Sequence, residues 1–159
     1  MIDPDEEVRC YSEAIRLKPD YANAFVNRGL AFKIKGDLDR ALRDYDEAIR
    51  LKPDDADTFN NRGNARTVKG DLDGALEDFN EALRLAPSDA VVLSNRADAR
   101  LTKGDVEGAL QDCSEAIRLS PDLAEAFFNR GNVLKAKGDV EGAQRNYDEA
   151  ARLDPKLKK

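Results

Sequence analysis

The chain has 159 residues, 26 of them Lys or Arg, 32 Asp or Glu and none His, for a formal net charge of −6. An acidic chain lacks the basic footprint that nucleic-acid binding leaves, and no apolar run reaches the ~18 residues of a membrane span. Without His the commonest general base and metal ligand is missing, so neither an enzyme nor a bound metal or cofactor is expected.

A 34-residue period orders everything else, and such a period signals a solenoid rather than a single central core. The stretch 22–55 returns at 56–89, 90–123 and 124–157, followed by the tail 158–159. Asn27, Asn61, Asn95 and Asn129 each precede an Arg, and Lys-Gly-Asp recurs at 35–37, 69–71, 103–105 and 137–139. Pro53, Pro87, Pro121 and Pro155 close the copies. The expectation is one array over 1–159.

Residues 1–21 match the second half of a copy, with Ala14, Leu17 and Pro19 aligned to Ala48, Leu51 and Pro53. Asp3 as N-cap, Pro4 at the first helical position and Glu6 closing a capping box predict a helix to about Leu17. Glu7 stands where full copies carry Ala41, Ala75, Ala109 and Ala143, which suits an end cap whose missing neighbour leaves that column in water.

Each full copy then predicts two helices. Asp20, Asp54, Ser88 and Asp122 are the expected N-caps of the first helices. Gly36 and its equivalents end those helices in the left-handed conformation, and Asp37 and its equivalents cap the second. Leu38, Ala41, Leu42, Tyr45, Ala48, Ile49 and Leu51 form a broad apolar stripe at helical spacing. Gly29, Gly63, Ala97 and Gly131 are small enough to let the paired helices approach closely. Cys10 and Cys113 lie in unrelated copies, suggest no disulfide framework and fit a reduced, cytoplasmic setting.

With these columns in view, the chain resembles the tetratricopeptide repeat family, as four full repeats and a leading half. The signature columns read Phe25, Arg28, Gly29, Phe32, Ala41, Tyr45, Ala48 and Pro53, with Arg in every copy where the family usually has Leu. The resemblance implies an all-α solenoid of antiparallel helix pairs forming a right-handed superhelix. It also implies a protein-interaction scaffold whose first helices line a concave peptide groove.

Two columns carry charge. Arg28, Arg62, Arg96 and Arg130 are in step with Asp44, Asp78, Asp112 and Asn146, which points to an inter-helix ladder. Pairing within a repeat and pairing with the preceding one each leave a mismatch, so the register stays open. In the last copy Gln144 and Ala151 replace larger apolar residues, as a polar terminal repeat requires. A second possibility at the ends is self-association through exposed Tyr11 or Tyr147 faces, giving a homo-oligomer.

The family's groove columns begin at Asn23, Asp57, Val91 and Glu125. They continue through Val26, Asn60, Ser94 and Phe128, and then Asn27, Asn61, Asn95 and Asn129. Deeper lie Leu30, Asn64, Asp98 and Asn132, followed by Lys33, Thr67, Leu101 and Lys135. Asn offers both a donor and an acceptor to a peptide backbone. Arg66 and Arg100, where many members have an aromatic, are expected to add positive charge near the groove.

The acidic-tail clamp of chaperone-binding relatives is not expected. Its asparagines survive at Asn60, Asn64, Asn95 and Asn129, but each cation is missing, and with it charge-assisted bonds of ~1.5–3 kcal/mol. No glycine-rich phosphate loop is present, and Asp54-Asp55-Ala56-Asp57 lacks calcium-loop spacing. The expected partner is a protein or peptide, with no nucleic acid and no membrane insertion. A stretch of a longer array without its own ligand is the remaining alternative.

Overall fold

The computed structural model describes residues 3–158. Among them are nine α-helices and no strand. The half repeat forms α1 (Pro4–Leu17). The full repeats form α2 (Ala22–Ile34) with α3 (Leu38–Leu51), α4 (Ala56–Lys69) with α5 (Leu72–Leu85), α6 (Ala90–Lys103) with α7 (Val106–Leu119), and α8 (Ala124–Ala136) with α9 (Val140–Leu153). A 3-10 turn follows at Pro155–Leu157. At 13 or 14 residues each helix is marginal alone in water, so packing against neighbours holds it.

The chain divides into two compact units, residues 1–85 and 86–159. In the first, α1 packs on α2, α2 pairs with α3, α3 packs on α4 and α4 pairs with α5. In the second, α6 pairs with α7, α7 packs on α8 and α8 pairs with α9. Each unit is a short α-solenoid stack of helix pairs.

The joints within pairs form as the residue pattern predicts. Gly36, Gly70, Gly104 and Gly138 have φ between 79° and 90°. That conformation lets the Asp37 N–H reach the Phe32 carbonyl at 2.9 Å and the Gly36 N–H reach Lys33, satisfying the last carbonyls of α2. The Asp37 side chain then accepts from the Arg40 N–H, and Asp71, Asp105 and Asp139 act likewise at the starts of α5, α7 and α9. Asp3 caps α1 by accepting from the Asp5 N–H, with Pro4 first in the helix.

The joints between repeats differ from expectation by one residue. The Pro and the residue after it are used in a turn, so Asp20, Asp54, Ser88 and Asp122 precede the cap position. The N-caps are Tyr21, Asp55, Asp89 and Leu123. Asp55 accepts from the Thr58 N–H and hydroxyl, and Asp89 accepts from the Val91 and Val92 amides. Tyr21 and Leu123 make no side-chain cap bond.

The core of each pair is a seam of small residues against one large one. A methyl group on Gly29, Gly63 or Gly131 would lie 2.8, 2.8 or 2.6 Å from the ring of Tyr45, Phe79 or Tyr147. The third repeat has Ala97 in the glycine column and Cys113 in the aromatic column, packed in one cluster with Ala109 and Val133. The change on one helix is matched by the change on the other.

Tyr147 is thus core: it is buried, its ring centroid is 5.6 Å from that of Phe128, and it offers no exposed end face. Tyr11 and Glu7 are half-buried, so neither stands fully in water. α9 packs on α8 and on the turn at Pro155–Leu157, and Val140 at its start is exposed.

Candidate functional site

The arginine column resolves into pairing within each repeat. Arg28 Nε and Nη2 donate to Asp44 at 2.8 and 2.7 Å, and Arg96 meets Asp112 with the same two-pronged geometry. Arg62 grips Asp78 and also reaches back to Asp46, while Arg28 reaches back to Ser12 at the equivalent place. The carboxylates are buried and the arginines partly so. A buried carboxylate needs such a partner, and the planar fork supplies two bonds at once. Arg28 is held protonated above its usual range by its bonds to Asp44. Arg130 instead meets neutral Asn146 at 2.7 Å, and burial pulls its pKa down.

Arg66 and Arg100 take the column of buried Phe32 and turn toward the second helix. Arg66 Nη1 donates to the Gly74 carbonyl at 2.9 Å and lies 3.0 Å from Asp78. Arg100 Nη1 does the same with Gly108 and Asp112. These two guanidinium groups bind the helix pair together and make Asp78 and Asp112 two-arginine sites, a use that differs from the groove charge expected of them.

The remaining groove columns lie on the first helices. Asn27 and Asp98 are exposed, whereas Asn60, Asn61, Asn64, Asn95, Asn129, Asn132 and Lys33 are half-buried. Asn129 Nδ2 donates to the Ser94 carbonyl and hydroxyl at 3.1 and 3.0 Å, so this amide stitches α8 to α6. Asn132 Oδ1 accepts from the Tyr147 hydroxyl. Partial desolvation lowers the Lys33 ammonium and, although Asp98 keeps an exposed surface, raises the Asp98 carboxyl relative to their ordinary values.

Two clefts open between neighbouring first helices. One of about 500 Å³ lies between α2 and α4, lined by Asn23, Val26, Asn27, Asp57, Asn60 and Asn61. Lys52 and Asp55 close its end as an ion pair at 2.8 Å. Those two were not in the expected set, because they belong to the inter-repeat turn and reach the cleft only once the repeats stack. The other cleft, of about 220 Å³ between α6 and α8, has Val91, Ser94, Asn95, Leu123 and Glu125 as its walls. The two clefts occupy equivalent places in the repeat, one mostly polar and one more apolar.

Among the described residues no group of three or more His, Cys, Asp or Glu is placed to hold a metal ion. No helix among them is long and apolar enough to cross a membrane. Cys113 is buried, which pushes its thiol up to about 12, while Cys10 is exposed.

Comparison with known proteins agrees with this architecture. Sequence profiles of the TPR repeat match residues 29–67 and 97–138, and tetratricopeptide repeat profiles match 56–89 and 124–157. No curated protein matches the chain. Among solved structures, MamA 41-end from Desulfovibrio magneticus RS-1 superposes with a TM-score of 0.83 at 20% identity, over 96% of this chain and 86% of that one. YrrB, described as a TPR protein with an unusual peptide-binding site, gives 0.74 at 22% identity over 96% and 78%. PilF of Pseudomonas aeruginosa gives 0.79 at 18% identity over 94% and 77%. At these identities the likeness is one of fold, whereas the repeat profiles cover more than half of the chain. The chain belongs to the tetratricopeptide repeat family of protein-interaction scaffolds.

Proposed function

We propose that the first-helix face of residues 1–85 binds an extended peptide segment of a partner protein, with Asn27, Asn60, Asn61 and Asn64 meeting its backbone. The observation that carries this reading is the cleft of about 500 Å³ between α2 and α4, with four Asn among its lining residues. An extended peptide leaves its N–H and C=O groups unpaired, and an Asn amide can satisfy one of each. The likeness to YrrB supports the same reading, since that fold carries a peptide-binding site in another protein.

Asn129 and Asn132 belong to the same columns in the last repeat, where each also holds the scaffold. Arg66 and Arg100 act behind the face by keeping the helix pairs closed. The test is a peptide-array screen with the full chain, repeated with Asn60, Asn61 and Asn64 changed to Ala. Binding that disappears in the triple variant, with its helical circular dichroism intact, is the expected result. Undiminished binding would move the site to the second helices or the ends of the stack.

A further inference from the structure

We infer that the first-helix face of residues 86–159 takes a segment in which a Lys or Arg adjoins an aliphatic side chain. This rests on the peptide-binding reading above and names the chemistry of the ligand.

The first argument is shape. The cleft between α6 and α8 has about 220 Å³ and two aliphatic walls, Val91 and Leu123. Val91 is 48% exposed although it sits on a packed helix. The space is several times the ~30 Å³ share of one water, and small beside the ~300–1,000 Å³ of drug-sized sites. One aliphatic side chain suits it.

The second argument is charge. Elsewhere in this unit Asp112 is gripped by Arg96 and Arg100, Glu107 by Lys137, Glu115 by Arg118 and Glu149 by Arg152. Glu125, on the cleft wall, and Asp98, one turn along α6 from Ser94 and Asn95, have no cation against them among the described residues. Asp98 is also partly desolvated, which raises its pKa and leaves the charged form short of a counter-ion. A ligand ammonium or guanidinium would supply it, and an acidic ligand would be repelled. The cation that this face does carry, Lys135, lies ten residues beyond Glu125 on α8, about 15 Å away by helical rise.

The experiment uses the full chain and fluorescence anisotropy at low salt. The probes are three labelled ten-residue peptides: alternating Lys and Leu, the same with Glu for Lys, and the same with Ser for Leu. The Lys–Leu peptide is expected to bind about tenfold more tightly than either counterpart. Asp98→Asn and Glu125→Gln should each weaken it roughly three- to tenfold, and Val91→Ser should weaken the Lys–Leu peptide but not the Lys–Ser one. Glu141→Gln on α9, which removes the same charge from an exposed second-helix position of this unit, should leave affinity unchanged.

Equal binding of the Glu peptide, or indifference to both Asp98→Asn and Glu125→Gln, overturns the inference. If peptides from the array bind through Asn60, Asn61 and Asn64 regardless of charge, this inference fails while the peptide-binding reading stands. If no peptide binds in either experiment, both fail.

Discussion

The Tyr147 hydroxyl donates to Asn132 Oδ1 at 3.0 Å, whereas Tyr45, three repeats earlier in the same column, has Leu30 where Tyr147 has Asn132. The Tyr45 hydroxyl is buried with no hydrogen-bond partner. A buried polar group left unpaired costs ~1–3 kcal/mol, and a satisfied one contributes about 1 kcal/mol. The same substitution therefore has opposite signs at the two sites. Tyr45→Phe should raise stability by about 1 kcal/mol, and Tyr147→Phe should lower it by about as much. Phe79 already occupies the column in the second repeat. Urea unfolding of both variants checks this, and a clear loss of stability in Tyr45→Phe would count against it.

Glycine at position 63 is set by the ring it faces. Ala would gain ~1 kcal/mol in helix propensity, but its methyl would lie 2.8 Å from Phe79 Cε1. Overpacking of ~1–3 kcal/mol opposes that gain, so Gly63→Ala should be neutral to destabilising by up to ~2 kcal/mol. With Phe79→Cys, which reproduces the Ala97 and Cys113 pair of the third repeat, the penalty should be relieved. A double-mutant cycle should show favourable coupling of ~0.5–3 kcal/mol. Strict additivity would mean that the two columns do not act on each other.

Removing one arginine of the ladder should reveal the asymmetry between buried and exposed pairs. Arg62→Ala leaves Asp78 buried with Arg66 alone at 3.0 Å, and a loss of ~2–4 kcal/mol is expected in urea unfolding. Arg50→Ala breaks an exposed pair with Glu47 on one helix and should not measurably move the midpoint. Equal effects would show that burial of the carboxylate does not decide the outcome.

The cap of α4 gives a pH dependence with a definite sign. Burial acts to raise the Asp55 carboxyl, but bonds from Lys52 and Thr58 outweigh it and hold the pKa below the ordinary value of 3.8. A depressed folded pKa contributes stability above the unfolded value, and that contribution is lost as pH falls through the folded one. Asp55→Ala should therefore cost ~0.5–2 kcal/mol at pH 7, with the deficit narrowing as pH drops below about 4. Thermal melts of both proteins across pH 7 to 3 measure it, and a deficit constant with pH would refute the assignment.

Much of this protein is decided by local chemistry that a residue pattern carries. Glycine at 36 and 70 needs no neighbour to end a helix, and Asp37 caps the next one within the same turn. The 34-residue period marks every helix pair, because each repeat must present the same faces to the next. Sequence alone therefore determines the all-α repeat architecture, the family and the first-helix columns.

What tertiary structure decided is which of two plausible partners each polar side chain meets. The arginine ladder is ambiguous in sequence, since either register leaves one mismatch, and stacking sets it within each repeat through Arg28 and Asp44. Arg66 and Arg100 look like ligand charges until the second helix brings Asp78 and Asp112 within reach. Lys52 and Asp55 enter a cleft only because the inter-repeat turn folds beside α2. Periodicity states which face of a helix a residue occupies; the bond it makes depends on atoms that arrive from a helix sixteen or thirty residues away.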